Sequence, residues 1–126
     1  MRQVICTDKA PAAVGPYSQA VIYGNLLFLS GQVSMDPESG EVLKGTVGEQ
    51  TERVLKNIRE VLAAGGSSMD SIIKCNVYLS EIDDFNEMNE MYRTFFSGAY
   101  PARLCVSKVD IFGGLAVEMA VIAGVD

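Results

Sequence analysis

The sequence predicts one domain of mixed α and β structure, on three observations. Short stretches of alternating apolar and polar residues recur along the chain as strands, with a tight-turn pair between two of them. Residues 46–64 carry helical periodicity instead, and a second helical pattern covers 84–97. At 126 residues, with no linker, repeat or low-complexity block, these elements have only one core to share.

"RQVICT" (2–7) alternates enough to be a first strand, and the Pro- and Gly-punctuated 10–19 is a loop. "AVIY" (20–23) and "LLFLSGQV" (26–33) flank Gly24-Asn25, the turn of a hairpin. "MDPESGE" (35–41) is an exposed turn by its Pro, Asp and Gly content. In 46–64, Val47, Thr51, Val54, Leu55, Ile58, Val61 and Leu62 fall on one helical face, and Glu49, Glu52, Arg53, Lys56, Arg59 and Glu60 fill the other. Gly65-Gly66 ends it.

In 72–79, Ile73, Cys75, Val77 and Leu79 alternate with Lys74, Asn76 and Tyr78, as in a half-buried strand. Asp83 or Asp84 is placed to cap the helix at 84–97. "ARLCVSKV" (102–109), the turn-like "DIFGG" and "LAVEMAVIAG" (115–124) read as a closing hairpin. With a five-residue loop at 110–114, Cys105 would face Met119 and Glu118 would face Val106, which puts Arg103 and Glu118 on opposite faces. Bringing the two into one site needs a four-residue loop or a bulge at Gly113-Gly114, or a meeting across a subunit boundary.

Composition removes several functions. Ten Lys and Arg against sixteen Asp and Glu give a net charge of -6, with no basic run, so nucleic acid is a poor partner. The N-terminus lacks the apolar run of a signal peptide and no stretch is long enough to span a bilayer, which predicts a soluble, cytoplasmic protein. Cys6, Cys75 and Cys105 have no CxxC spacing and fit reduced thiols. The chain has no histidine, which excludes Ser-His-Asp and Cys-His catalysis, the common zinc sites and the usual proton shuttle. Its 48% hydrophobic content and mean hydropathy of +0.19 slightly exceed what a small monomer needs, suggesting buried subunit contacts. At 126 residues a deep private pocket is hard to build, which points to a site shared between subunits.

Some polar residues stand out. Glu118 interrupts an apolar strand, where a carboxylate needs either a cationic partner or a pKa raised by desolvation. Its neighbours two positions away, Ala116 and Ala120, leave space above it. Arg103 and Cys105 share a strand face, and a guanidinium fork at a cleft mouth suits a carboxylate ligand. Cys105 reads more readily as a buried thiol than as a nucleophile. Ser30-Gly31 either presents a hydroxyl and bare backbone to a ligand or marks a bulge. Asn89 sits among Phe85, Tyr92 and Phe96, either bridging nearby backbone or facing a ligand. Together these residues point to a small anionic ligand.

"APAAVGPYSQA", "LSGQV" with "MDPESGEV", "AAGGS", "VYLSEIDDFNEMNEMYRTFF", "YPARLCV" and "VEMAVIAG" match, in order, motifs of the YjgF/RidA family of reactive-intermediate deaminases, which the chain resembles over nearly its whole length. The resemblance implies a single RidA-like domain over 1–126 with a chorismate-mutase-like α+β fold, a mixed β-sheet packed against two helices. It implies a homotrimer whose sheets face a central barrel and whose clefts lie between neighbours. The implied activity is hydrolysis of small enamines and imines, such as 2-aminoacrylate and 2-aminocrotonate, to 2-keto acids and ammonia, a form of metabolite damage control. Such compounds arise when pyridoxal-phosphate dehydratases act on serine and threonine.

By the same resemblance Arg103 binds the substrate carboxylate, Glu118 activates a water, and Tyr17, Ser30, Gly31, Asn89 and Cys105 line the pocket. Neither a metal nor an organic cofactor is required. Where many relatives carry a Leu-Pro pair this chain has Ile111-Phe112 and two glycines, a change at the pocket rim that bears on substrate breadth. Met88 and Met91 beside Asn89 bear on packing at the cleft. The family is also described as an endoribonuclease that inhibits translation, and a regulatory trimer that binds small carboxylates without turnover is a third reading.

Overall fold

A computed structural model describes residues 1–126. The elements are β1 (Gln3–Ile5), β2 (Ala20–Tyr23), β3 (Leu26–Val33), α1 (Val47–Ala64), β4 (Ile72–Leu79), α2 (Phe85–Arg93), β5 (Ala102–Val106) and β6 (Val117–Gly124). The strands form one six-stranded mixed sheet in the order β1-β2-β3-β6-β4-β5, antiparallel throughout except for β4 with β5. This is the α+β arrangement, a mixed sheet with two helices, that the family resemblance implies.

Local signals set most of these elements. The β2–β3 hairpin turns at Gly24-Asn25, with Tyr23 opposite Leu26 and Gly24 at φ +64°. Helix α1 starts on a capping box: the Thr46 hydroxyl accepts from Glu49 N at 3.1 Å, and Thr46 N donates to the Glu49 carboxylate at 2.9 Å. Its apolar face, Val54, Leu55, Ile58, Val61 and Leu62, is fully buried against the sheet. Each such side chain contributes roughly 1.5–3 kcal/mol. An Ile58→Ala change there would cost about 2–5 kcal/mol.

Four expectations are corrected. The closing strands do not form a hairpin: β5 pairs in parallel with β4, and β6 runs between β3 and β4. The parallel pair is possible because α2 lies in the crossover between its strands. As the most continuously apolar strand, β6 takes a central place where both edges are paired, leaving the arginine-bearing β5 at the edge. Cys105 therefore pairs with Val77, and Glu118 lies between Tyr78 and Val33.

Helix α2 stops at Arg93 rather than at 97, since the Thr94 hydroxyl turns back to Met91 O at 2.7 Å and Ser97 is drawn to Asp70. Neither aspartate caps it: Asp84 is itself helical, at the end of a 3-10 turn over Ile82–Asp84, and its side chain bonds no helix amide. In β4 a register shift falls between Ile72 and Lys74, so Ile72 points inward and Ile73 is exposed.

Both helices lie on one face of the sheet. On that face Leu27, Leu29, Cys75, Val77, Met119, Val121 and Ala123 form the core. The other face, which carries Phe28, Asn76, Leu104, Glu118, Ala120 and Ile122, has no covering layer, and Phe28 and Leu104 are 45% and 48% exposed. No helix is long and apolar enough to cross a membrane.

Candidate functional site

Two clefts hold the polar residues singled out in the sequence. The first, of about 370 Å³, is lined by Tyr17, Ser30, Gly31 and Glu118, with an apolar rim that includes Val14, Met35 and Phe112. The second, of about 230 Å³, is lined by Asn89, Tyr92, Arg93, Tyr100, Pro101 and Arg103.

The first cleft is assembled by Gln19, which the sequence reading passed over. Buried at the end of the loop, its amide nitrogen donates to the carbonyls of Thr7 (3.1 Å), Ala10 (3.4 Å) and Pro11 (2.8 Å), and its Oε1 accepts from Thr7 N (2.7 Å). One side chain thereby clips the loop that bears Tyr17 to the sheet. The Tyr17 hydroxyl accepts from Val14 N at 3.2 Å, and its ring is half-exposed at the rim. Ser30 donates its hydroxyl proton to Ser18 O at 2.6 Å, so it faces a ligand as an acceptor.

Ser30 and Gly31 form a bulge in β3: Leu29 pairs with Val121 and Gln32 with Met119, two residues against one. That bulge brings the bare Cα of Gly31 under the Glu118 carboxylate, where a Cβ would overlap Oε2. Gly31 is thus both a bulge residue and a point of close approach.

Glu118 has no cation. The chain's two ion pairs, Lys56–Glu52 and Arg93–Glu90, lie on helix surfaces. Burial alone raises the Glu118 pKa above the ordinary carboxylate value. Of the two sequence readings, desolvation holds and the ion pair within the chain is absent.

Arg103 is equally unpaired with any carboxylate. Its guanidinium lies 4.9 Å from the ring centre of Tyr92 and 5.6 Å from that of Phe85, with Nη1 4.0 Å from Met88 Sδ. The aromatic bed fixes the guanidinium without using its donors on an acid. Asn89 Oδ1, beside it in the cleft, is buried without a hydrogen-bond partner, so the bridging reading of Asn89 finds no support.

Beneath the arginine the Tyr92 hydroxyl lies against the Cys75 thiol without a well-formed hydrogen bond, and burial pushes Cys75 up to about 11 and Tyr92 upward as well. Cys105 follows Arg103 on the same face of β5, half-buried, and lines neither cleft. Burial raises its pKa against the opposing charge of Arg103, as for an unreactive thiol. No group of three His, Cys, Asp or Glu side chains converges anywhere in the chain.

The two clefts open on opposite faces of the sheet. Arg103 pairs with Cys75 on the helix side, whereas Glu118 pairs with Tyr78 on the uncovered side. One half can hold a carboxylate and the other can move a proton. Within one chain they do not meet.

The sequence model of the family described as Endoribonuclease L-PSP matches residues 7–125. The 2-iminobutanoate/2-iminopropanoate deaminase of Mus musculus is 43% identical over 123 residues, covering 98% of this chain and 91% of that protein. The crystal structure of a putative endoribonuclease from Thermotoga maritima superposes with a TM-score of 0.96 at 43% identity, over 100% of this chain and 99% of that one. TdcF of E. coli with bound serine superposes with a TM-score of 0.93 at 35% identity, over 98% and 99%. The fold, the six motifs in order and these full-length similarities agree, and the chain belongs to the YjgF/RidA family, described also as the Endoribonuclease L-PSP family.

Proposed function

We propose that the chain is an imine deaminase, hydrolysing the tautomers of 2-aminoacrylate and 2-aminocrotonate to 2-keto acids and ammonia in clefts shared between neighbouring copies of a trimer. The observation that carries this is the pair Arg103 and Glu118, each unpaired, each in its own cleft, on opposite faces of one sheet. Such half-sites are completed in a closed ring, where the Arg103 side of one protomer meets the Glu118 side of the next. The uncovered face, with Phe28 and Leu104 exposed, offers apolar surface for that contact. The deaminase name of the mouse relative and the serine bound to TdcF, a small amino carboxylate, favour the same ligand class.

The chemistry needs a water, one carboxylate and one guanidinium. Arg103 takes the substrate carboxylate on its free donors, supplying orientation. Ionised Glu118 takes a proton from water as the oxygen adds to C2 of the imine, and hands that proton to the nitrogen to give the carbinolamine. The carbinolamine then collapses: Glu118 takes the hydroxyl proton and passes it to the departing nitrogen, and the C–N bond breaks as C=O forms. Imine plus water gives keto acid plus ammonia, and the carboxylate ends as it began. A pKa raised by burial suits this double role.

The ribonuclease reading draws less from the geometry. No Lys or Arg lines the Glu118 side, so in the shared cleft a phosphodiester would find only Arg93 and Arg103 of the neighbouring side, with Arg93 already paired to Glu90.

The test generates the enamine in situ with a threonine dehydratase acting on serine or threonine, and follows keto-acid release with and without this protein. Acceleration by the wild type and its loss in Arg103→Ala is the expected result. No acceleration by a folded, trimeric wild type overturns the reading.

A further inference from the structure

The loop between β5 and β6 gives the Glu118 cleft a feature that the hydrolysis itself does not use. Ile111 and Leu115 are buried, pinning the loop at both ends, and Gly113 and Gly114 take left-handed φ values of +70° and +69°. A Cβ on Gly113 would meet the Val42 side chain at 2.9 Å, so this turn needs glycine there on two counts. Pinned and turned in this way, the loop holds Phe112 outward, 57% exposed, on the rim of the cleft that contains Glu118. Pro11, Ala12, Val14 and Met35 line the same cleft.

We propose that Phe112 closes an apolar subsite beside Glu118 that receives the substrate's side chain, so that the protein favours 2-imino acids with branched or aromatic side chains over 2-iminopropanoate and 2-iminobutanoate. This rests on the deaminase reading and sharpens its substrate class. If Arg103 holds the carboxylate and Glu118 addresses C2, the substituent at C3 is the part of the substrate left to place. The apolar wall next to Glu118 is the surface that suits it. In the single chain the cleft measures about 370 Å³, so even with part of it taken by the Arg103 side of a neighbour it leaves room beyond a three- or four-carbon acid. It falls in the ~300–1,000 Å³ range of pockets that enclose much larger ligands. An exposed phenyl ring gains by covering an apolar side chain and gains little from a methyl group.

The experiment generates imines with an amino-acid oxidase from 2-aminobutanoate, leucine and phenylalanine, and measures kcat/KM for keto-acid and ammonia release above the spontaneous rate. Phe112→Ala should lower the ratio of leucine- or phenylalanine-derived to 2-aminobutanoate-derived kcat/KM by about tenfold, or ~1.4 kcal/mol, with Phe112→Leu intermediate. A ratio that stays within about twofold between wild type and Phe112→Ala overturns the subsite, and does so without touching the deaminase reading if 2-iminobutanoate is still hydrolysed. Should the wild type accelerate none of these imines, the deaminase reading falls. Calorimetric binding of 4-methyl-2-oxopentanoate against 2-oxobutanoate then decides the subsite alone. A preference for the larger acid that Phe112→Ala removes supports it, and equal preference in both proteins overturns it.

Discussion

The Glu118 carboxylate lies directly over the Cα of Gly31, in space that any Cβ at position 31 would occupy. The bulge at Ser30-Gly31 and the unpaired acid in the middle of β6 are therefore one arrangement, in which the strand bulges and a side chain is left out to seat a carboxylate. Gly31→Ala should displace Glu118 while sparing the fold, because the atom in the way is the end of a flexible side chain. We expect kcat/KM to fall about 100-fold, as for a catalytic group moved by about 1 Å, with a thermal midpoint close to that of the wild type. Undiminished activity in the alanine variant would mean that this carboxylate position is not the working one.

Glu118→Gln separates catalysis from binding. The amide can neither accept the proton of water nor return one to nitrogen, so turnover should be lost while 2-keto acids still bind by calorimetry. A protein that only senses carboxylates would respond to its ligands much as before.

The same variant tests the raised pKa. A carboxyl group whose folded pKa lies above its unfolded value stabilises the fold most fully at low pH, and that contribution is lost as pH rises through the folded value. By its burial, ionised Glu118 therefore costs stability near neutrality, and Glu118→Gln should melt above the wild type there, by a gap that the Arg103 of a neighbour narrows because its charge favours the ionised acid. The gap should close as pH falls below the ordinary carboxylate value of about 4.3. Wild-type rates should fall on acidification with a midpoint above that value, since the ionised form is the base. Melting curves and rate profiles over the same pH series check both limbs.

Gln19 offers a prediction about stability. It makes four hydrogen bonds at 3% exposure, and Gln19→Leu would strand the carbonyls of Thr7, Ala10 and Pro11 and the amide of Thr7. With about 1–3 kcal/mol at stake for each buried polar group left unpaired, and water able to reach some of them, a net loss of roughly 2–4 kcal/mol is expected. Scanning calorimetry should show the midpoint lowered by about 10 °C, and activity should fall because the loop that carries Tyr17 is released.

Such contacts mark the boundary of what the sequence could tell. The β2–β3 hairpin, α1 and the extent of β4 were legible because each is set by periodicity and end signals within a few residues. The break that Glu118 makes in an apolar strand was legible for the same reason, but its lack of a cationic partner was not, because an ion pair with an arginine fits the same pattern. The partner of β6 was not, because strand order is a contest among distant segments, and β4 won it over the sequence neighbour β5. Gln19 escaped notice because its partners are loop carbonyls, which leave no pattern in side-chain type. The placement of Arg103 and Glu118 on opposite faces was expected from a hairpin that does not exist. It survives because Cys75 and Tyr78, at odd separation along β4, set the faces of their respective partners.

That separation yields the most discriminating prediction. If each working cleft joins Arg103 of one protomer to Glu118 of the next, Arg103→Ala and Glu118→Gln are defects of different halves, and each variant alone should be inactive. Unfolded together in equal amounts and refolded, they form mixed rings in which some clefts pair the intact Arg103 of one variant with the intact Glu118 of the other. Random assembly makes about one cleft in four intact, so close to a quarter of wild-type activity should return. Refolding each variant separately before mixing should restore nothing until subunits exchange. A site built within one chain predicts no recovery in either case, because every chain in the mixture is then missing one of the two groups. Measuring keto-acid release after co-refolding, with sedimentation to verify the ring, therefore tests the shared cleft and the roles of both residues together.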